Sequence, residues 1–191
     1  MITLKQVHAD FNALIQPYIK SLQNTAKRLT KNLIEAEDLL QETLYKAYKS
    51  FNQYKQDTNF RAWIFKIMIN TYISSYRKSV RQPIKISYED LEEYQLYQYM
   101  KDESEVFDTP NYFISDELFE DEVKEALEKL PYYFRLVVLL SDIEGFSYQE
   151  IADIVKTPLG TVMSRLHRGR SLLRNKLKKY AKNKGYALSA N

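Results

Sequence analysis

Apolar positions in the first part of the chain recur at helical spacing. Phe11, Ile15, Ile19, Leu22, Ala26 and Leu29 fall three and four residues apart on one stripe, and Pro17 is placed to kink or restart that helix. Asn32 and Glu35 have the N-x-x-E form of a capping box, which predicts a second helix running to about Phe51 through Ala36, Leu39, Leu40, Leu44, Ala47 and Tyr48. The polar stretch NQYKQDTN follows as a loop, and Thr58 or Asn59 can cap a third helix. Its buried face holds Phe60, Trp63, Ile64, Ile67 and Met68, and it ends in a basic tail before Pro83. Residues 82–120 carry no sustained apolar stripe and read as a linker, with room for a short helix near residues 88–100. Four more helical patterns follow, over residues 118–129, 132–143, 147–155 and 158–180. The pattern predicts an all-α fold of two small helical domains, residues 8–82 and 118–182, joined by an acidic linker over 83–117.

Composition supports helices, because 4 Gly and 5 Pro in 191 residues are too few for a turn-rich sheet protein. With no Cys and only His8 and His167, a disulfide is excluded and a zinc site or His-based catalysis is poorly supplied. The N-terminus has neither the basic start nor the unbroken apolar run of a signal peptide, and no segment approaches the roughly 20 apolar residues of a membrane span. A soluble, cytoplasmic protein is expected. Charge changes the picture more. The net +3 conceals three blocks: +8 over residues 1–86, −12 over 87–122 and +7 over 123–191. Two basic bodies flanking an acidic strap suit two separate contacts with a polyanion, although solvated charged faces would give the same count.

The second basic body carries the clearest motif. Ser147, Tyr148, Gln149 and Glu150 form another capping box, opening a short helix with Ile151, Ala152 and Ile154. Thr157 as N-cap and Pro158 in the first helical position open the next. Two capped helices so closely spaced make a helix-turn-helix, with small Ala152 at the close approach. Lys156 stands in the turn where Gly is often used, and a left-handed residue there costs on the order of 1 kcal/mol. On a wheel advancing about 100° per residue, Val162, Leu166, Gly169 and Leu173 face the core, and Ser164, His167, Arg168 and Ser171 face away. Thr161, Arg165 and Arg170 lie on the flanks, and Gly160 lets the amides at the helix start approach an anion. Hydrogen-bonding side chains at the centre and cations at the sides are what a major-groove helix needs. An ordinary solvated surface helix is the competing reading.

The run LLSDIEGFSYQEIADIVKTPLGTVMSRLHRGRSLLR, residues 139–174, closely resembles region four of extracytoplasmic-function sigma factors of bacterial RNA polymerase. EAEDLLQETLYKAYKSF, residues 35–51, and FRAWIFKIMINTYISSYRK, residues 60–78, resemble region two of the same family. The resemblance implies a promoter-reading subunit and not an enzyme, with no catalytic residue, metal, cofactor or small-molecule substrate. Its implied partners are core RNA polymerase, through the clamp helices of the largest subunit, promoter DNA and an anti-sigma factor acting in a stress response. Core docking falls by resemblance on Asp38, Leu39, Gln41 and Glu42, an acidic and amide patch with one apolar anchor. A minus-ten base flipped from the non-template strand needs aromatic and amide groups for the base and cations for its backbone. The resemblance places that pocket on the loop from Tyr54 to Asn59 with Asn70, and the strand along Tyr72, Tyr76, Arg77, Lys78 and Arg81. Several of these tyrosines fit a core position equally well. Minus-thirty-five contacts fall on Gly160, Thr161, Met163, Ser164, Arg165, His167, Arg168, Arg170 and Ser171.

The family's linker threads toward the polymerase active-site channel and RNA exit path, and a −12 segment fits there as well as it fits a solvated tether. Charge alone does not separate the two. A stand-alone helix-turn-helix regulator with a sensory N-terminal half is the chief rival, but it leaves DLLQE and FRAWIF unexplained. A nucleic-acid-processing enzyme would need clustered carboxylates, a P-loop or a nucleophile with its base, and the sequence has none of these.

Overall fold

The structure, a computed structural model, describes residues 4–30, 32–55, 58–80 and 121–185. The acidic linker, its expected short helix and Arg81 lie outside the described residues. All regular elements among the described residues are helical. In chain order these are α1 (Leu4–Ile15), α2 (Ile19–Leu29), α3 (Leu33–Ser50), α4 (Phe60–Val80), α5 (Asp121–Glu128), α6 (Tyr132–Val138), α7 (Tyr148–Val155) and α8 (Leu159–Asn183).

Local chemistry accounts for most of the boundaries. Pro17 stands at the start of the 3₁₀ turn Gln16–Tyr18, which joins α1 to α2. The Asn32 side chain accepts from the Glu35 N–H at 2.9 Å to open α3, and Asn59 Oδ1 accepts from the Ala62 N–H at 3.1 Å to open α4. Asn59, not Thr58, is the cap. At α7 the capping box is complete: Ser147 Oγ accepts from the Glu150 N–H at 3.3 Å, and Glu150 accepts from the Ser147 N–H at 2.9 Å. Those Ser147 backbone and hydroxyl bonds, aided by Asn59, hold the Glu150 carboxyl below the usual carboxylate range. The last start differs by one residue from the sequence reading. Pro158 is extended, at φ −55° and ψ 144°, so it caps α8, while Thr157 Oγ1 donates to the Val155 carbonyl at 3.3 Å.

The first domain packs α2, α3 and α4 around fully buried Leu22, Leu29, Ile64, Phe65 and Met68, each worth about 1.5–3 kcal/mol of transfer free energy. Ala36 and Ala47 lie buried on α3, where their small side chains leave room for a neighbouring helix. Phe11, Tyr48, Phe51, Tyr54, Phe60 and Trp63 form an aromatic cluster at one end, largely with edge-on or tilted rings. Trp63 is half-buried there.

In the second domain α8 crosses α6 and α7 through Val162, Leu166 and Gly169. A π-helical turn, Leu139–Ile143, carries the chain from α6 to Gly145, which has φ +69° and lets the Phe146 N–H return to the Leu140 carbonyl at 3.0 Å. Lys156 occupies the left-handed turn between α7 and α8, at φ 53° and ψ 49°, the conformation that costs a side-chain-bearing residue on the order of 1 kcal/mol.

Candidate nucleic-acid and partner interface

Helix α8 presents an exposed stripe made of Gly160, Met163, Ser164, His167 and Arg168, with Ser171 half-buried at its edge. Thr161 is half-buried beside it. The stripe continues through Arg174 and Lys178, which the same three- and four-residue spacing reaches one and two turns further on. It presents hydroxyl, imidazole and guanidinium groups along one face.

Two arginines expected on the flanks are otherwise engaged. Arg165 is 6% exposed, and its guanidinium lies 4.8 Å from the centre of the Tyr133 ring of α6. It lies against the neighbouring helix in the cleft where α4 meets the second domain, and is not presented on the exposed stripe of α8. Arg170 donates to Asp142 at 2.5 and 3.1 Å, to the Ser141 hydroxyl at 3.1 Å and to the Tyr148 hydroxyl at 3.1 Å. Hydrogen bonding to Asp142, then to Tyr148, raises its pKa further, so its charge is fixed and already balanced. Arg170 braces α8 against the preceding turn.

On α3, Asp38, Gln41 and Glu42 are exposed together, with Glu42 in a solvent-accessible pair with Lys46 at 2.8 Å. Leu39 is not part of this patch. It is 6% exposed and lies in the core of the first domain, because 100° per residue carries it to the inner side of the helix. The apolar groups on the outer face are Ile34, 73% exposed, and Tyr45, 58% exposed, placed four residues before Asp38 and four after Gln41.

Two family models match the chain: Sigma-70 region 2 over residues 14–82 and Sigma-70, region 4 over residues 120–173. An ECF RNA polymerase sigma-E factor of Haemophilus influenzae is 32% identical over 171 residues, covering 87% of this chain and 87% of that protein. The chain belongs to the extracytoplasmic-function sigma factors. ECF RNA polymerase sigma factor SigE of Mycolicibacterium smegmatis is 33% identical over 90% of the chain, which spans 63% of that relative's length. Among solved structures, the sigma factor RpoE of Bartonella quintana, in complex with the anti-sigma factor NepR, matches at 30% identity with a TM-score of 0.64. It covers 88% of this chain and 97% of that one. CnrH in complex with the cytosolic domain of CnrY shares the fold at 22% identity and a TM-score of 0.60, covering 90% of each chain.

In the sigma factor's first domain, the residues expected at the minus-ten element are strung from the loop before α4 along the length of that helix, and several are engaged in packing or local hydrogen bonds. The Tyr54 hydroxyl donates to the Thr58 carbonyl at 2.6 Å, and its ring lies 5.2 Å from Phe60. Asn70, half-buried, donates to the Lys66 carbonyl at 2.7 Å. Tyr72 is buried and Tyr76 half-buried, and Arg77 and Lys78 continue α4 toward its end. Ile34, Tyr45, Arg174 and Lys178 were missed by sequence reasoning. Extending the helical stripe one or two turns beyond each motif is the signal that finds them.

No helix among the described residues is long and apolar enough to cross a membrane.

Proposed function

We propose that this chain binds core RNA polymerase through the outer face of α3 and directs promoter-specific initiation by reading a minus-ten and a minus-thirty-five element. The carrying observation is the division of labour between its surfaces. A basic helix-turn-helix, its first helix closed by a full capping box, exposes Ser164, His167 and Arg168, while an otherwise basic first domain exposes an acidic patch at Asp38 and Glu42. A DNA-facing surface has no use for that patch, whereas a polar rim around the apolar Ile34 and Tyr45 suits a protein interface. Work in the bacterial cytoplasm, without catalysis by the chain itself, follows from this role. Control by an anti-sigma factor is part of the same proposal, supported by the solved RpoE of Bartonella quintana, which is held by the anti-sigma factor NepR.

The test is a holoenzyme assembled from core polymerase and this chain, titrated on a panel of minus-thirty-five sequences at several salt concentrations. Arg168→Ala is expected to lose about 1–3 kcal/mol on the preferred sequence and to relax preference at one position, because Arg168 projects from the exposed stripe. Arg165→Ala is expected to lower the melting temperature of the second domain and leave the salt slope unchanged, since its guanidinium packs on Tyr133. A uniform loss for Arg168→Ala across all sequences would reduce α8 to a phosphate contact.

A further inference from the structure

Glu144 belongs to the second domain, yet its carboxylate is held by four residues of the first. Ser21 Oγ donates to Oε2 at 2.5 Å and Thr25 Oγ1 to Oε1 at 2.7 Å. Arg61 Nη2 lies 2.9 Å from Oε2 and Arg28 Nη1 3.5 Å from Oε1. Arg61 also donates to the Glu144 main-chain carbonyl. The Glu144 and Arg28 side chains are only 6% and 4% exposed, so this is a closed site and not a surface ion pair. Phe146, two residues on, is buried with its ring 5.0 Å from Phe65, and the Arg61 guanidinium stands 4.2 Å over it. Gly145, at φ +69°, makes the turn that sends both side chains into the first domain.

The contact extends along α4. Asn59 donates to Glu150 Oε1 at 2.7 Å, and Tyr76 stacks on Tyr132 with ring centres 4.5 Å apart. Tyr72 lies 5.7 Å from the same ring, and Asn70 lines a cleft with Tyr132, Tyr133 and Arg165. Asn59, Asn70, Tyr72 and Tyr76 are among the residues expected to receive the minus-ten strand. Asp38, Gln41 and Glu42 remain exposed in this arrangement.

We propose that Glu144 is an interdomain latch that closes the second domain over the minus-ten face of the first, so that closure and strand capture exclude each other while the α3 face stays free. The occlusion half rests on the proposed promoter-reading role, whereas the latch itself does not. A buried carboxylate is tolerable only when paired and hydrogen-bonded, and here Ser21, Thr25, Arg28 and Arg61 all come from the other domain. Removing either side leaves charge buried against the contact without its counterpart, which favours opening. Core polymerase can meet the closed chain first, and DNA is read after the domains part.

The chain has no cysteine, so Glu37→Cys with Lys178→Cys, both at exposed positions on opposite domains, labels cleanly with nitroxides for distance measurement. The otherwise unaltered chain is expected to give one narrow population. Glu144→Ala and Arg61→Ala, acting from opposite domains, are each expected to broaden it and shift its mean. Arg61→Ala decides the matter if Glu144→Ala unfolds the second domain. A broad distribution at the outset, or no shift with Arg61→Ala, overturns the latch. The open variants are also expected to bind a single-stranded oligonucleotide, taken from a transcript start mapped with the holoenzyme, about five- to tenfold more tightly as isolated chains. No gain overturns the occlusion. The distance measurement needs neither DNA nor polymerase, so its failure and a failure of the promoter-reading role are seen separately.

Discussion

Asp38→Arg combined with Glu42→Lys is expected to weaken the complex with core polymerase at least about 100-fold, abolishing directed transcription at ordinary concentrations. Both side chains are exposed on the outer face of α3, and the double substitution reverses the charge of the patch without touching a core position. Glu42 gives up only its solvent-accessible pair with Lys46, a contact of the kind worth about 0.3–0.5 kcal/mol. Helical content by circular dichroism should therefore be unchanged while co-elution with core is lost. Tyr45→Ala, which removes an exposed ring on the same face, is expected to act in the same direction with a smaller effect. Undiminished co-elution of the double variant would place the docking surface elsewhere.

Gly169→Leu is expected to unfold the second domain selectively. A Cβ at Gly169 would stand 2.9 Å from Val138 Cγ2, 3.3 Å from Phe134 Cβ and 3.4 Å from the Phe134 carbonyl. Val138 is buried and β-branched, so it cannot swing aside as the tip of a long side chain could. For Gly169→Ala the clash, costing about 1–3 kcal/mol, opposes a gain of about 1 kcal/mol in helix propensity, and a modest net loss results. With Leu the excess volume grows and the propensity gain does not. Calorimetry should show the second domain's transition lost or strongly lowered for Gly169→Leu, with the first domain's transition retained. Binding to core through α3 should survive and use of the minus-thirty-five element should not.

These two sites also mark what the sequence could and could not disclose. Gly169 was legible as a core-facing position because Val162, Leu166 and Gly169 keep helical spacing within one element. The caps at Asn32, Asn59 and Ser147 were legible for the same reason, since each acts on backbone groups three residues away. Arg165 was misplaced because its burial depends on Tyr133, which arrives from a different helix. Arg170 was misread similarly: its partner Asp142 lies 28 residues earlier in sequence. Leu39 was assigned outward by its place in a motif, although its position on the α3 wheel already carried it inward. The latch residues Ser21, Thr25, Arg28 and Arg61 showed no sequence signal, because a site assembled between domains has no local period.

In vitro transcription with core polymerase on a genomic promoter library tests the central claim most directly. Core alone should give no defined starts. Addition of this chain should produce discrete transcripts from a small set of fragments sharing two spaced elements, and Asp38→Arg with Glu42→Lys should remove them. Transcripts that stay undirected in the presence of the chain, together with tight sequence-specific duplex binding by the isolated protein at physiological salt, would contradict the account.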